Sequence, residues 1–246
     1  MKTVEVCFTP KIFEDRITRK DFIVVIVDIL RATTSICAAF KNGVKAMIPL
    51  PSIEMAEEYK KKGYIVASER DGKVLDFADF GNSAFDFSKE NVKGKIVAYS
   101  TTNGTKAIEL AKDVGQVVMG SFINLRALSD WLIDKDKNVV ILCAGWKNKF
   151  NLEDSVFAGV LVENLIDSGK FDTNCDSAQA ALDLWKTAET DLLGFIEKAA
   201  HRHRLRKLGL DDVLEYSFTL NTSDVVPVLK DGKIICAKKN ELNKTC

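Results

Sequence analysis

The sequence predicts an α/β protein: a largely parallel sheet with helices on both faces, a helical C-terminal part and a terminal β-hairpin. Three observations point there. Apolar, β-branched runs alternate with helical patterns through roughly the first 170 residues. From residue 172 the texture turns helical. Near the C-terminus an Asp-Gly pair separates two apolar runs, the signature of a tight hairpin.

The elements follow in order. "FIVVIVD" (22–28) is apolar on both faces, as a central parallel strand is. Residues 33–41 read as a helix that Gly43 stops, and "VKAMIPL" as a short strand ending at Pro49. Ser52 caps the helix "IEMAEEYKKKG", whose acids come first and lysines last, in accord with the helix dipole. "YIVASE" is another strand, whereas "FADFGNSAFDF" (77–87) lacks a clean period and reads as an aromatic-rich loop. "KIVAYS", "QVVMG" and "NVVILCAG" are strands, with helices over 105–112 and "INLRALSDWLID" between them. The turn "TTNGT" precedes the first of these helices, and the loop "WKNKFNLE" leads into a helix over 153–168. "DSAQAALDLWKTA", "TDLLGFIEKAAHRHRLRKLG" and "DDVLEYSF" are helical, and "VVPVLKDGKIIC" closes as the hairpin. No repeat, linker or low-complexity tract interrupts the chain. It reads as one domain over 1–246, or as two packed α/β subdomains over about 1–170 and 171–246.

Composition narrows the function classes. Thirty-five basic residues balance thirty-five acidic ones without long like-charged blocks, which disfavours nucleic acid and an anionic membrane surface as partners. No run reaches the roughly 18 apolar residues of a membrane span, and the start lacks the pattern of a signal peptide. The six cysteines form no CxxC pair and several sit in apolar runs, so they read as reduced thiols of a cytoplasmic protein. Cys37 and Cys143 read as packing residues.

Three strands end in polar, small-residue junctions: "VDILRATT", "AYSTTNGTKA" and "LCAGWKNKFNLED". In open α/β sheets, ligands gather beyond the carboxyl ends of strands. Asp28 ends the first of these strands, placed to ligate a metal, attack phosphorus or cap the next helix. Arg31 offers a fork of donors to a phosphate, carboxylate or sulfonate, or forms a surface salt bridge. The hydroxyls of Ser100, Thr101, Thr102 and Thr105, the turn at Asn103-Gly104 and the helix start behind it suit an anion. Glu153 and Asp154 open a helix where acids complement the dipole, and where oxygen ligands suit a hard cation. Asn82 and Ser83 sit in a loop able to reach the same crevice. His201 and His203, two apart on a helix, make a poor metal pair and read as part of a solvated basic face.

Taken in order, "VDILRATTSI", "DFGNS", "STTNGTKAI", "GSFIN", "CAGWKNKFNLEDSVFAG" and "VVPVL" resemble the signature of the 2-phosphosulfolactate phosphatase family, over about residues 20–230. The "HRHRLRKLG" segment matches least. The resemblance implies magnesium-dependent hydrolysis of (R)-2-phospho-3-sulfolactate to (R)-3-sulfolactate and phosphate, as in coenzyme M biosynthesis. On that reading Asp28, Glu153 and Asp154 hold Mg2+, with Asp28 alternatively the nucleophile, and Asp28 and Arg31 are the catalytic residues. Thr101, Thr102, Asn103, Gly104 and Thr105 cradle the phosphate or the sulfonate, and Arg31, Asn82, Ser121 and Asn124 serve the remaining anionic groups. A homodimer is the expected assembly on base rates. Two rival readings are a non-catalytic sensor of a small anionic metabolite and a phosphatase for another phosphorylated hydroxy acid.

Overall fold

Parallel βα units and one antiparallel hairpin build the sheet of the computed structural model, which describes residues 1–14 and 21–237. The strands are β1 (Lys2–Cys7), β2 (Phe22–Val27), β3 (Ala46–Pro49), β4 (Ile65–Arg70), β5 (Lys73–Val74), β6 (Ile96–Ser100), β7 (Gln116–Gly120), β8 (Asn138–Cys143), β9 (Phe171–Asp172), β10 (Pro227–Lys230) and β11 (Lys233–Cys236). The helices are α1 (Pro10–Glu14), α2 (Ala32–Lys41), α3 (Ile53–Lys61), α4 (Lys89–Val92), α5 (Gly104–Ala111), α6 (Leu125–Lys135), α7 (Leu152–Asp167), α8 (Asp176–Ala188), α9 (Leu192–Ile196), α10 (Ala200–Lys207) and α11 (Leu214–Phe218).

The strand order is β5-β4-β6-β3-β11-β10-β7-β2-β8-β1-β9. One parallel group is β4-β6-β3, the other β7-β2-β8-β1-β9. The β10–β11 hairpin joins them, running antiparallel to both β7 and β3. Its turn residues Asp231 and Gly232 have φ of 49° and 72°, as the Asp-Gly pair predicts for a type I′ turn.

Strand β2 is the axis of the core. Val25 and Val27 pack into one cluster with Leu128, Phe157 and Leu161, whereas Val24 and Ile26 pack into another with Ile36, Tyr99 and Ile108. Successive side chains of a strand point to opposite faces, so an unbroken apolar run is what a strand covered on both sides requires. Helices α6, α7 and α8 lie over one face and α2 and α5 over the other.

Helix α2 is buried from Ala32 to Phe40. Its small polar residues are tolerated there because their hydroxyls find backbone acceptors: Thr34 Oγ1 donates to Ile29 O (2.9 Å) and Ser35 Oγ to Asn82 O (2.9 Å). Ser52 caps α3 by accepting from the Met55 amide at 3.2 Å. The aromatic-rich loop holds a 3-10 turn, Ala84–Phe87, capped by Ser83.

Besides the short elements α1, α4, β5 and β9, which the sequence pattern does not announce, two larger departures stand out. β1 was not anticipated, yet it lies between β8 and β9 with Val4 and Val6 wholly buried. The long helix expected over "TDLLGFIEKAAHRHRLRKLG" is two helices, α9 and α10, because Ala199 is extended (φ −69°, ψ 132°).

Candidate active site

The α2 and α5 N-termini meet, although β3, β11, β10 and β7 separate β6 from β2 in the sheet. A Cβ at Gly104 would lie 2.4 Å from the Ala32 Cβ and 2.9 Å from Asp28 Oδ2, so only glycine permits this approach. Between and beside the two helix ends is a cleft of about 360 Å³, part of it open to solvent. Asp28, Arg31, Glu69, Asn82, Asn103, Trp146, His201 and Arg204 line it.

Asp28 follows β2 directly and is held from several sides. Its backbone N–H donates to Thr33 Oγ1 and its carbonyl accepts from that hydroxyl, both at 3.0 Å. Its Oδ1 accepts from the Ala32 amide at 3.2 Å, at the start of α2. Burial pushes its carboxyl up from 3.8 to about 6; the His201 charge and the Ala32 amide pull it back, and Glu69 and Glu153 add to the rise. Arg31 is 6% exposed and makes no side-chain hydrogen bond or ion pair among the described residues. A buried cation without a paired carboxylate is costly, and an anionic ligand removes that cost.

The β6–α5 junction is arranged differently. Thr105 Oγ1 accepts from the Thr101 amide (3.1 Å), and Thr101 Oγ1 from the Thr105 amide (3.2 Å). Thr102 donates its amide to Glu69 Oε1 (2.8 Å) and its hydroxyl to Glu69 Oε2 (3.1 Å). Asn103 Oδ1 accepts from the Lys147 amide at 3.1 Å, tying this turn to the loop after β8. These hydroxyls hold the junction's shape; the cleft itself receives Asn103 from this segment, while Gly104 lets α5 approach Asp28. Asn82 reaches the cleft as expected, its carbonyl oxygens taken by the Tyr99 and Ser35 hydroxyls.

Glu153 and Asp154 lie just behind the cleft wall, wholly buried. Asp154 Oδ1 accepts from the Ile29 amide (2.8 Å), and Oδ2 from the Gly145 amide (3.2 Å) and Asn151 Nδ2 (2.9 Å). It therefore staples the β2–α2 junction to the β8–α7 loop. Burial raises its carboxyl well above the usual range, with Asp28 and Glu153 adding to the rise. Glu153 Oε1 lies 2.9 Å from His201 Nδ1 and accepts from Asn151 Nδ2 at 3.1 Å. Its Oε2 is buried without a partner among the described residues, as is Asn151 Oδ1.

Ser121 and Asn124 differ from expectation. They follow β7 but do not line the cleft. Asn124 Oδ1 accepts from the Ser121 amide at 2.9 Å, and Nδ2 donates to Met119 O and Val225 O at 3.3 and 3.0 Å. This amide is fully engaged in closing a 3-10 turn, Phe122–Asn124, and in fastening the segment before β10.

Sequence reasoning missed Glu69, Trp146, His201 and Arg204. Glu69 is the penultimate residue of β4, near the strand's carboxyl end, so the strand-end rule would have found it. His201 is buried and His203 exposed, as their spacing predicts. The expected solvated basic face holds for His203 and Arg206; Arg202 is buried in ion pairs with Glu197 and Asp211, and His201 and Arg204, three apart, turn to the cleft.

A carboxyl and a guanidinium with no partner among the described residues, set together at converging helix N-termini, suit a small anion. Comparison with known proteins agrees: the 2-phosphosulpholactate phosphatase family model matches residues 7–232, and the chain belongs to that family of phosphatases. Relatives named probable 2-phosphosulfolactate phosphatase occur in Clostridium beijerinckii (34% identical, covering 92% of this chain and 95% of the relative) and Thermotoga maritima (34%; 86% and 90%). Another, from Caldanaerobacter subterraneus, is 32% identical over 85% of this chain and 88% of its own length. Among the described residues no helix is long and apolar enough to cross a membrane.

Proposed function

We propose that this phosphatase hydrolyses (R)-2-phospho-3-sulfolactate to (R)-3-sulfolactate and phosphate with Mg2+, the step known from coenzyme M biosynthesis. The observation that carries the reading is Arg31, a buried residue without a carboxylate partner among the described residues, three residues from the buried carboxyl of Asp28. A small substrate with three anionic groups suits this narrow, partly enclosed cleft better than a phosphoprotein or a nucleic acid does.

Among the described residues no group of three or more His, Cys, Asp or Glu is arranged to hold a metal. Magnesium does not require one: it is commonly held by one or two carboxylates together with substrate phosphate and water. The donors that fit are Asp28 and, just behind the wall, Glu153 Oε2 and Asn151 Oδ1, both without a partner among the described residues. Asp154, expected as a third ligand, has both oxygens engaged by N–H donors and acts in this reading as the staple that positions Asp28. When bound, the ion would neutralise charge on the phosphoryl oxygens.

The chain's own residues do the rest. Arg31 orients the phosphoryl group and offsets its developing charge. His201 holds Glu153 Oε1 and so leaves Oε2 as the free oxygen. Overall, the bond between phosphorus and the substrate C2 oxygen breaks, a water oxygen joins phosphorus, and a proton passes to the departing oxygen. Phosphate release from a panel of 2-phospho-3-sulfolactate, 2-phospholactate and phosphoglycerates, with and without Mg2+, tests the reading. Preference for another phosphorylated hydroxy acid would overturn the substrate, and tight binding without phosphate release would overturn catalysis.

A further inference from the structure

Helix α10 carries alternating basic residues that face different ways. Arg202 pairs with Glu197 (3.1 Å) and with Asp211, and Arg206 pairs with Glu197 (2.5 Å) and Asp211 (3.4 Å). These pairs fix α10 to the segments on either side of it. Arg204 lies on the other face. Its guanidinium carbon sits 3.8 Å from the centroid of the Trp146 ring, and it borders the cleft. Among the described residues it has no ion pair, and its Nε is buried without a hydrogen-bond partner.

The carboxylates nearby are already engaged. Asp71 pairs with Lys147 at 2.7 Å, Glu69 accepts from Thr102 and from the Gly72 amide, and Glu153 Oε1 meets His201. A desolvated N–H without an acceptor is unfavourable, so this geometry makes sense when an acceptor arrives with the ligand. Stacking on an indole fixes the guanidinium plane, and a fixed planar fork matches the paired oxygens of a carboxylate or sulfonate.

We propose that Arg204, held flat on Trp146, is the specificity-determining residue that receives the substrate's second anionic group, a carboxylate or sulfonate borne near the phosphorylated carbon. This rests on the function proposed above: Arg31 and the Asp28 end of the cleft take the phosphate, and Arg204 takes an oxyanion those groups leave uncompensated. Trp146 is the positioning residue.

The test is steady-state kinetics of the full chain and of Arg204→Met, Arg204→Lys and Trp146→Leu. The substrates are 2-phospho-3-sulfolactate, 2-phospholactate (no sulfonate), 2-phosphoethanesulfonate (no carboxylate) and p-nitrophenyl phosphate (neither), with folding checked by thermal melts. Arg204→Met is expected to lower kcat/KM on 2-phospho-3-sulfolactate by about 30-fold or more, mainly through KM, and by at least tenfold less on p-nitrophenyl phosphate. Arg204→Lys should recover part of the loss, because a point charge replaces the fork, and Trp146→Leu should show a weaker form of the same selectivity. Whichever single-oxyanion substrate keeps the full effect identifies the group bound. Equal losses on all four substrates, or none, in folded variants would overturn the Arg204 assignment while leaving the phosphatase reading intact. No turnover of 2-phospho-3-sulfolactate by the unaltered chain would overturn that reading, and this inference with it.

Discussion

Strands β2 and β7 lie side by side and parallel, and both end in polar residues, yet the two ends do different work. After β7, Asn124 engages its oxygen and nitrogen with three backbone groups, and the segment is closed and buried. After β2, Asp28 has one oxygen turned to the α5 end, and Arg31 has no partner among the described residues. Position at a strand end marks where a ligand can sit. An unpaired charge facing an open cleft marks where one does; Ser121 Oγ, at the β7 end, is also without a partner among the described residues but carries no charge and faces no cleft. The β6–α5 junction lies between the extremes, since its hydroxyls are satisfied internally while its glycine brings the helix against Asp28.

The largest expected effect that sharpens this contrast is at Asp28. Asp28→Asn should lower kcat by roughly a thousandfold or more in a phosphate-release assay while the far-ultraviolet circular dichroism stays unchanged. Arg31→Lys keeps a charge but loses the fork, and about a hundredfold fall in kcat/KM is expected. Glu153→Gln should raise the Mg2+ concentration needed for half-maximal activity by about 10- to 100-fold, read from a metal titration.

A pH measurement examines the buried acid itself. The carboxyl of Asp28 titrates higher in the folded chain than in the unfolded one, from 3.8 to about 6. In that window the folded state holds more protons, so stability falls as pH rises from about 4 to about 6. In chelator the melting temperature should therefore drop across this window. Asp28→Asn should flatten the curve and raise the melting temperature near neutral pH by about 5 °C. An unaltered slope in the variant would mean that Asp28 is not the strained charge.

The smallest effect on activity belongs to the β7 end. Asn124→Ala should destabilise by about 1–3 kcal/mol through the lost hydrogen bonds, read by urea unfolding, with kcat/KM within about threefold of the parent. A large change in KM with normal stability would break the contrast drawn between the two strand ends.

How much of this was legible in the sequence follows from the range of the interactions. β2, α3 and the hairpin turn carry local signals: an apolar run, a Ser cap and an Asp-Gly pair. The place of the hairpin between β3 and β7 carries none, because it is a pairing between distant segments. β1 is as long as β2, but Lys2, Thr3 and Glu5 break its apolar pattern, and its partners, β8 and β9, are distant in sequence. The break between α9 and α10 has no Gly or Pro to announce it. It occurs where Arg202 reaches back to Glu197 and His201 turns in to Glu153.

In the site, Asp28, Arg31, Asn82 and Asn103 could be read from strand ends and turn chemistry. His201 and Arg204 could not, because their basic segment looks like a solvated face until Trp146 and Glu153 are placed against one side of it. Ser121 resembled Thr101 in sequence, and only the geometry of Asn124 shows that this turn is closed.

The most direct measurement is the initial rate of phosphate release from (R)-2-phospho-3-sulfolactate by the chain and by Asp28→Asn, each with Mg2+ and with chelator. The account predicts turnover only for the unaltered chain with Mg2+. Release by folded Asp28→Asn at a rate near that of the parent would contradict it.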